Sequence, residues 1–306
     1  MKNFIRCALV FVLGAFALPA FADLNVFACE PEWAALAKAL GGDEVDVYAA
    51  SSALQDVHKI QPRPSLIAKY HKADLVVCTG SELEIGWLPP LAEKGNNGKV
   101  LPGSAGFFEA SQFVTMLEVP VNFDRSLGDI HPYGNPHIQT GPQNILPVAK
   151  ALADRMGELS SRHADKFHKN FEQFSAKWTE ALKKWQAKVA PLKGMNVVSF
   201  HKSWAYLYDF TGIREVAQLE PKPGIPPSGA HLEEVLAQLK ERPAKMVVYA
   251  AYEDPRPANW LADNAHIPEV QLPFSVGGAP GTDDLFGFYD VTFDRLLAAL
   301  HDGKPG

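Results

Sequence analysis

The chain has 306 residues, is 47% hydrophobic and 21% charged, and carries a formal charge of −6. That length is enough for two domains of ordinary size, and the composition is that of a soluble globular protein. With a pI near 5.9 and no long basic run, the chain lacks the basic footprint that nucleic acid or an anionic membrane surface would require.

The first 22 residues differ from the rest. Lys2 and Arg6 precede an apolar run ending in Ala20-Phe21-Ala22, which is the pattern of a cleaved export signal. Cleavage is expected after Ala22. The remaining chain would start at Asp23 and carry 27 basic against 35 acidic residues. No later segment has 18 consecutive apolar residues, so no stable membrane insertion is expected. Export also bears on the two cysteines that remain, Cys29 and Cys78. Each ends a short strand-like run, and parallel neighbouring strands would bring them close enough to bridge. The alternative is two small buried residues without a bond.

Asp23–Cys29 reads as a strand, and Pro31 opens an amphipathic helix stopped by Gly41-Gly42. The runs EVDVYAA, PSLIAKYHKA and ADLVVCTG continue as strand, helix and strand. A helix is expected near LEIGWLPPLAEKG, while Val100 to Arg125 shows no clear pattern. This alternation predicts an α/β fold with a parallel sheet flanked by helices.

From Gln143 to Ala190 apolar residues recur at helical spacing, as in Phe167, Phe171, Phe174, Trp178, Leu182 and Trp185. Two helices fit, about 143–159 and about 161–188. The second would be roughly 40 Å long, which suits a strut shared by two lobes. After Pro191 and Gly194 the alternation restarts with MNVVSF and ends with the helix DVTFDRLLAALHDG. The expected organisation is a signal segment over 1–22, an α/β lobe over 23–160, a linking helix over 161–190 and a second α/β lobe over 191–306.

Three histidines each lie just past a strand or turn: His58 in LQDVHKIQPRP, His137 in GNPHIQTGP and His201 in VVSFHKSW. In parallel α/β sheets ligands bind outside the carboxyl ends of the strands, so all three can face one crevice. Three imidazoles and one further donor make a tetrahedral zinc set. Taken singly, each is more at home as a surface or capping residue. Their separations of 79 and 64 residues match no short zinc motif.

The stretches DVHKIQPRPS, ADLVVCTGSELE, GNPHIQTGPQN and SFHKSWAYLYDFTG, in this order and with the long helix, resemble the periplasmic metal-binding proteins of zinc and manganese ABC importers, the ZnuA/TroA-like family (cluster A-I solute-binding proteins). The resemblance implies two α/β lobes joined by a rigid helix, with His58, His137 and His201 as metal ligands. It implies a periplasmic, non-enzymatic carrier that hands Zn(II) to a membrane permease. A periplasmic metallochaperone is a further candidate partner, and the chain is expected to be a monomer.

Three departures stand out. No His- and acid-rich loop follows Cys78; Gly141 replaces a usual aspartate; and Val276, in LPFSVGG, stands where several members carry an aspartate ligand. A fourth donor must then come from elsewhere or be water. Glu220, in a loop stiffened by four prolines, is the first candidate. His131, Asp283 and Asp284 are the others, and Asp129 is placed to orient a ligating histidine. Imidazole donors favour zinc over manganese. Binding is expected to weaken below about pH 6 as the imidazoles protonate. Alternative readings are a manganese importer subunit, an adhesin or structural protein whose metal is incidental, and a zinc hydrolase with Glu220 as general base. No HExxH, G-x-S-x-G or cysteine-nucleophile pattern is found.

Overall fold

The computed structural model describes residues 23–122, 128 and 130–302. The signal segment expected over 1–22 and the carboxylate of Asp129 lie outside these residues. Among the described residues no helix is long and apolar enough to cross a membrane.

The first half builds one sheet. β1 (Leu24–Ala28) leads into α1 (Pro31–Gly41), which has proline in its first turn and is closed by Gly42 at φ +59°, whose N–H bonds the Lys38 carbonyl. β2 (Val45–Ala49), α2 (Pro64–Lys72), β3 (Leu75–Cys78) and α3 (Leu88–Gly95) follow. A fourth strand, β4 (Phe107–Glu109), lies inside the stretch that shows no pattern in sequence. Three residues are too few to display an alternation. All pairings are parallel, in the order β2-β1-β3-β4. β1 and β3 are neighbours, so Cys29 and Cys78 come within 4.8 Å between Cα atoms and are joined by a disulfide.

The second half repeats the plan. β5 (Asn196–Ser199), α6 (Ala205–Thr211), β6 (Arg214–Gln218), α7 (Gly229–Glu241), β7 (Val247–Ala250), α8 (Pro255–Ala265) and β8 (Glu269–Leu272) form a parallel sheet in the order β6-β5-β7-β8. The last helix, α9 (Leu285–Asp302), begins five residues before the run that suggests it in sequence. The extension comes from Asp284, whose Oδ1 accepts from Gly287 N at the helix start. α3 begins later than its pattern suggests, because Ser81 and Glu82 adopt positive φ and turn the chain first.

Between the sheets run α4 (Ile145–Leu159) and α5 (Ala164–Lys188). At 25 residues, α5 is about 37 Å long. It packs on α1 and α4 on one side and α9 on the other. Its Trp178 and Trp185 lie among Phe286, Tyr289 and Phe293 of α9, with ring centroids about 5–6 Å apart. One apolar cluster runs from Val26 and Leu75 in the first sheet through Phe167 and Trp178 to Val197 and Leu272 in the second. The halves therefore share a core. Each fully buried large apolar side chain in it contributes on the order of 2 kcal/mol.

Carboxylates are also buried where the halves meet. Glu30, Glu32 and Glu84 are each at most 3% exposed. Glu84 accepts from Thr79 N and Gly80 N at the end of β3, while Glu32 accepts from Ser275 Oγ in the segment after β8. Burial pushes Glu32 and Glu84 up to about 7 and raises Glu30 well above the usual carboxylate range, with Glu84 and then Glu32 adding charge repulsion at Glu30.

Candidate metal centre

His58 is set by its own loop. Asp56 accepts from the His58 backbone N at 3.0 Å and from Nδ1 at 2.9 Å, while Trp87 Nε1 pins the Val57 carbonyl. His137 is fixed by Asn135, whose Oδ1 takes the His137 N–H, and by Thr140, whose hydroxyl donates to the His137 carbonyl. His201 follows β5 directly. Beyond the strands the β5–β6 pairing continues, with Leu219 N bonding Ser199 O and Glu220 N bonding Phe200 O. That register sets Glu220 beside His201, and Glu220 Oε2 lies 2.6 Å from His201 Nδ1.

The three rings meet. One nitrogen from each of His58, His137 and His201 lies within 4.8 Å of the other two. Their centroids are 5.3, 5.6 and 5.4 Å apart. With Zn–N near 2.0–2.1 Å, two imidazoles on one tetrahedral ion have centroids about 5 Å apart. The observed spacing is close to that. Asp56 and Glu220 occupy Nδ1 of His58 and His201, so Nε2 is the atom each presents inward. His58 Nε2 and His137 Nδ1 are buried and make no hydrogen bond. Burying such a group unpaired costs about 1–3 kcal/mol, and a cation among the rings would remove that cost. The residues present therefore fit a metal ion.

Electrostatics distinguish the histidines. Burial, then the neighbouring His58, His201 and His131, press His137 well below its ordinary pKa. Burial acts the same way on His201, but the hydrogen bond and charge of Glu220, with Glu253 and Asp56, outweigh it and raise its pKa. Asp56 is held far below the usual carboxylate range: burial pushes it up, and the stronger combined pull of His58 and Lys59 brings it down. Glu253, whose Oε2 accepts from Ala250 N, is pushed up to about 8 mainly by burial.

Two cavities flank the trio. One of 540 Å³ is lined by His131, His137 and His201 together with Glu118, Asn135 and Lys202. One of 200 Å³, on the other side, is lined by His58, His201 and the carboxylates of Asp56, Glu220, Glu253 and Asp254.

None of the other candidate donors has its ligand atom inside the trio's grouping. Glu220 stands one step back, its Oε2 shared between His201 Nδ1 and Gly224 N. The reason is the strand register just described. His131 is beside His58, with ring centroids 5.4 Å apart. Asp283 and Asp284 are exposed at the start of α9, where Asp284 caps the helix, and neither joins the trio. In LPFSVGG the residue facing the site is Phe274, whose ring is 5.5 Å from that of His137; Val276 packs against the core instead. Gly141 is required by close packing, since a Cβ there would lie 2.7 Å from Tyr206 Cβ. Among the described residues the other grouping of possible metal donors, Cys29, Cys78 and Glu84, is occupied by the disulfide.

Sequence reasoning missed Asp56, Asn135, Glu253 and Phe274. Asp56 carried a local signal, an aspartate two residues before a loop histidine. Asn135 likewise sits two residues before His137. Glu253 and Phe274 reach the site only through the tertiary fold.

Residues 26–299 match the family model described as zinc-uptake complex component A, periplasmic. The chain is 24% identical over 256 residues to the high-affinity zinc uptake system protein ZnuA of Yersinia pestis, covering 79% of this chain and 80% of that one. It is 20% identical over 250 residues to the manganese ABC transporter substrate-binding lipoprotein PsaA of Streptococcus mitis, covering 80% and 78%. A crystal structure of ZnuA superposes with a TM-score of 0.75 at 21% identity, covering 90% of this chain and 98% of that one. Two parallel sheets, a long helix between them and a match over nearly the whole length place this chain in the ZnuA family of metal-binding solute-binding proteins, transport components of ABC importers rather than enzymes.

Proposed function

We propose that the protein captures Zn(II) in the periplasm and delivers it to the permease of an ABC importer. His58, His137 and His201 bind the ion, while Asp56 and Glu220 orient two of them from behind. The observation that carries this reading is the composition of the trio: three imidazole donors and no carboxylate among them. Asp56 and Glu220, the carboxylates bonded to these rings, are engaged at Nδ1. An all-nitrogen set suits zinc better than manganese, which prefers a larger share of oxygen. Hydrogen-bonded carboxylates make the ligating rings more basic and fix their tautomer. The metal is cargo, so the site must also let it go. A periplasmic metallochaperone as donor and a monomeric carrier fit the same reading.

Manganese capture is the second reading, and the carboxylate-lined 200 Å³ cavity beside the trio favours it. The test is metal content and competition on the chain starting at Asp23, purified without a tag. One zinc per chain, held at least a hundredfold more tightly than manganese and lost in His137→Ala, is the expected result. A preference for manganese, or His137→Ala binding zinc within a few-fold of the parent, would overturn it.

A further inference from the structure

We propose that His131 supplies the fourth donor, giving the ion a shell of four imidazoles. This inference rests on the zinc-capture reading above and names what completes that site.

A tetrahedral ion on His58, His137 and His201 has one vertex left. The carboxylates that line the two cavities are already engaged: Asp56 by His58, Glu220 by His201 and Gly224, Glu253 by Ala250, Asp254 by Arg256, and Glu118 by Asn135 and Lys202. From the segment after β8 comes Phe274, whose ring has no donor atom. The remaining side is the 540 Å³ cavity, and His131 lines it together with His137 and His201. Its ring lies 5.4 Å from that of His58, the same spacing as inside the trio. That spacing is also what two imidazoles on one zinc ion require, about 5 Å.

In the ion-free arrangement the donor atoms of the other three are already within 4.8 Å of one another, and His131 is not part of that grouping. His131 therefore moves inward when the ion arrives. The loop that carries it lies between Gly128 at φ +101° and Gly134 at φ +109°, conformations open to glycine but not to most residues. Each glycine packs closely against its surroundings: a Cβ on Gly128 would meet the Pro223 carbonyl at 2.4 Å, and one on Gly134 would meet the Leu117 carbonyl at 2.7 Å. The loop is thus anchored at both ends, with His131 between the anchors and at the wall of the cavity. It would be the last ligand to bind and the first to leave.

The test is X-ray absorption at the zinc edge on the zinc-loaded chain, together with zinc affinity and release rate for His131→Ala and His131→Gln. Four imidazole scatterers in the parent, three in each variant, and a zinc release rate at least tenfold higher in both variants are expected. Three imidazoles and one oxygen in the parent would overturn the proposal while leaving zinc capture intact. The variants releasing zinc at the parent rate would overturn it as well. A parent chain that binds no zinc would overturn both readings. The absorption measurement on the parent decides the matter even if a variant fails to fold.

Discussion

Glu220 Oε2 lies 2.6 Å from Nδ1 of His201, and this contact determines which nitrogen of His201 faces the other histidines. It also raises the His201 pKa against the opposing effect of burial. A proton must leave His201 before metal binds there, so a raised pKa moves the acid limb of binding to higher pH. In Glu220→Gln the charge is gone and burial acts unopposed by it. The His201 pKa should fall, and the pH midpoint of zinc binding should shift down. Affinity at pH 8 should fall about 10–100-fold, because the ring loses its orienting carboxylate. Zinc titrations from pH 5 to 8 on both proteins check this. An unchanged midpoint would show that His201 is not the histidine whose proton competes with the metal.

Asn135 links the two halves at the site. Its Oδ1 takes the His137 N–H, and its Nδ2 donates to the Lys202 carbonyl next to His201. Asn135→Ala removes both bonds and leaves the His137 N–H and the Lys202 carbonyl without these partners. A stability loss of about 1–3 kcal/mol is expected. Zinc release should also be faster, measured by transfer to a chelator. Unchanged release would mean that Thr140 and the Tyr206 hydroxyl, which donates to the residue 135 carbonyl, hold the loop without this side chain.

The buried glutamates give the fold a pH dependence of defined sign. A carboxyl at about 7 in the folded chain and 4.5 as its ordinary value binds more protons folded than unfolded between those limits. Stability therefore falls as pH rises through that window, and is flat above it. His137 acts in the opposite sense, since its depressed pKa makes the fold lose stability as pH falls below the ordinary histidine value. Comparing a variant with its parent separates the two. Glu32→Gln keeps an acceptor for Ser275 and removes the charge. It should be more stable than the parent at pH 8 by roughly 1–3 kcal/mol and little different at pH 4.5. Thermal melts at the two pH values decide it, and a less stable variant at pH 8 would show that the ionised form is tolerated.

Cys29 and Cys78 close a loop with a sequence separation of 49. In the chain-entropy model such a bridge stabilises by about 4 kcal/mol. Cys29→Ser with Cys78→Ser should lose about that much in denaturant melts, with zinc affinity changed only a few-fold, because neither sulfur reaches the histidines. A large loss of affinity in a folded variant would mean that the bridge positions the site.

Much of this architecture is legible in the amino-acid order, for identifiable reasons. β1, β3, β5 and β7 are short apolar runs next to amphipathic helices. α5 is long enough to show its period in Phe167, Phe174, Trp178 and Trp185, all buried. The positions of His58 and His201 relative to strands follow from those runs. Other features depend on distances between segments remote in sequence. Glu220 reads as a free carboxylate at the crevice until the β5–β6 register sets it on His201 Nδ1. A shift of two residues separates Val276 from Phe274, and no local pattern in LPFSVGG fixes that shift. β4 is visible only as the partner of β3.

The apolar core that runs unbroken from the first sheet to the second also bears on the heat of binding. In carriers that clamp on their cargo, closure removes apolar surface from water, and the binding enthalpy then varies steeply with temperature. Here one apolar core already joins the two halves, and three donor nitrogens already stand within 4.8 Å of one another. Calorimetry of zinc binding should give a heat-capacity change close to zero once buffer protonation is subtracted. The enthalpy would then be nearly the same at 10 and 35 °C, arising from metal–nitrogen bonds and displaced protons and hardly at all from the hydration of hydrocarbon.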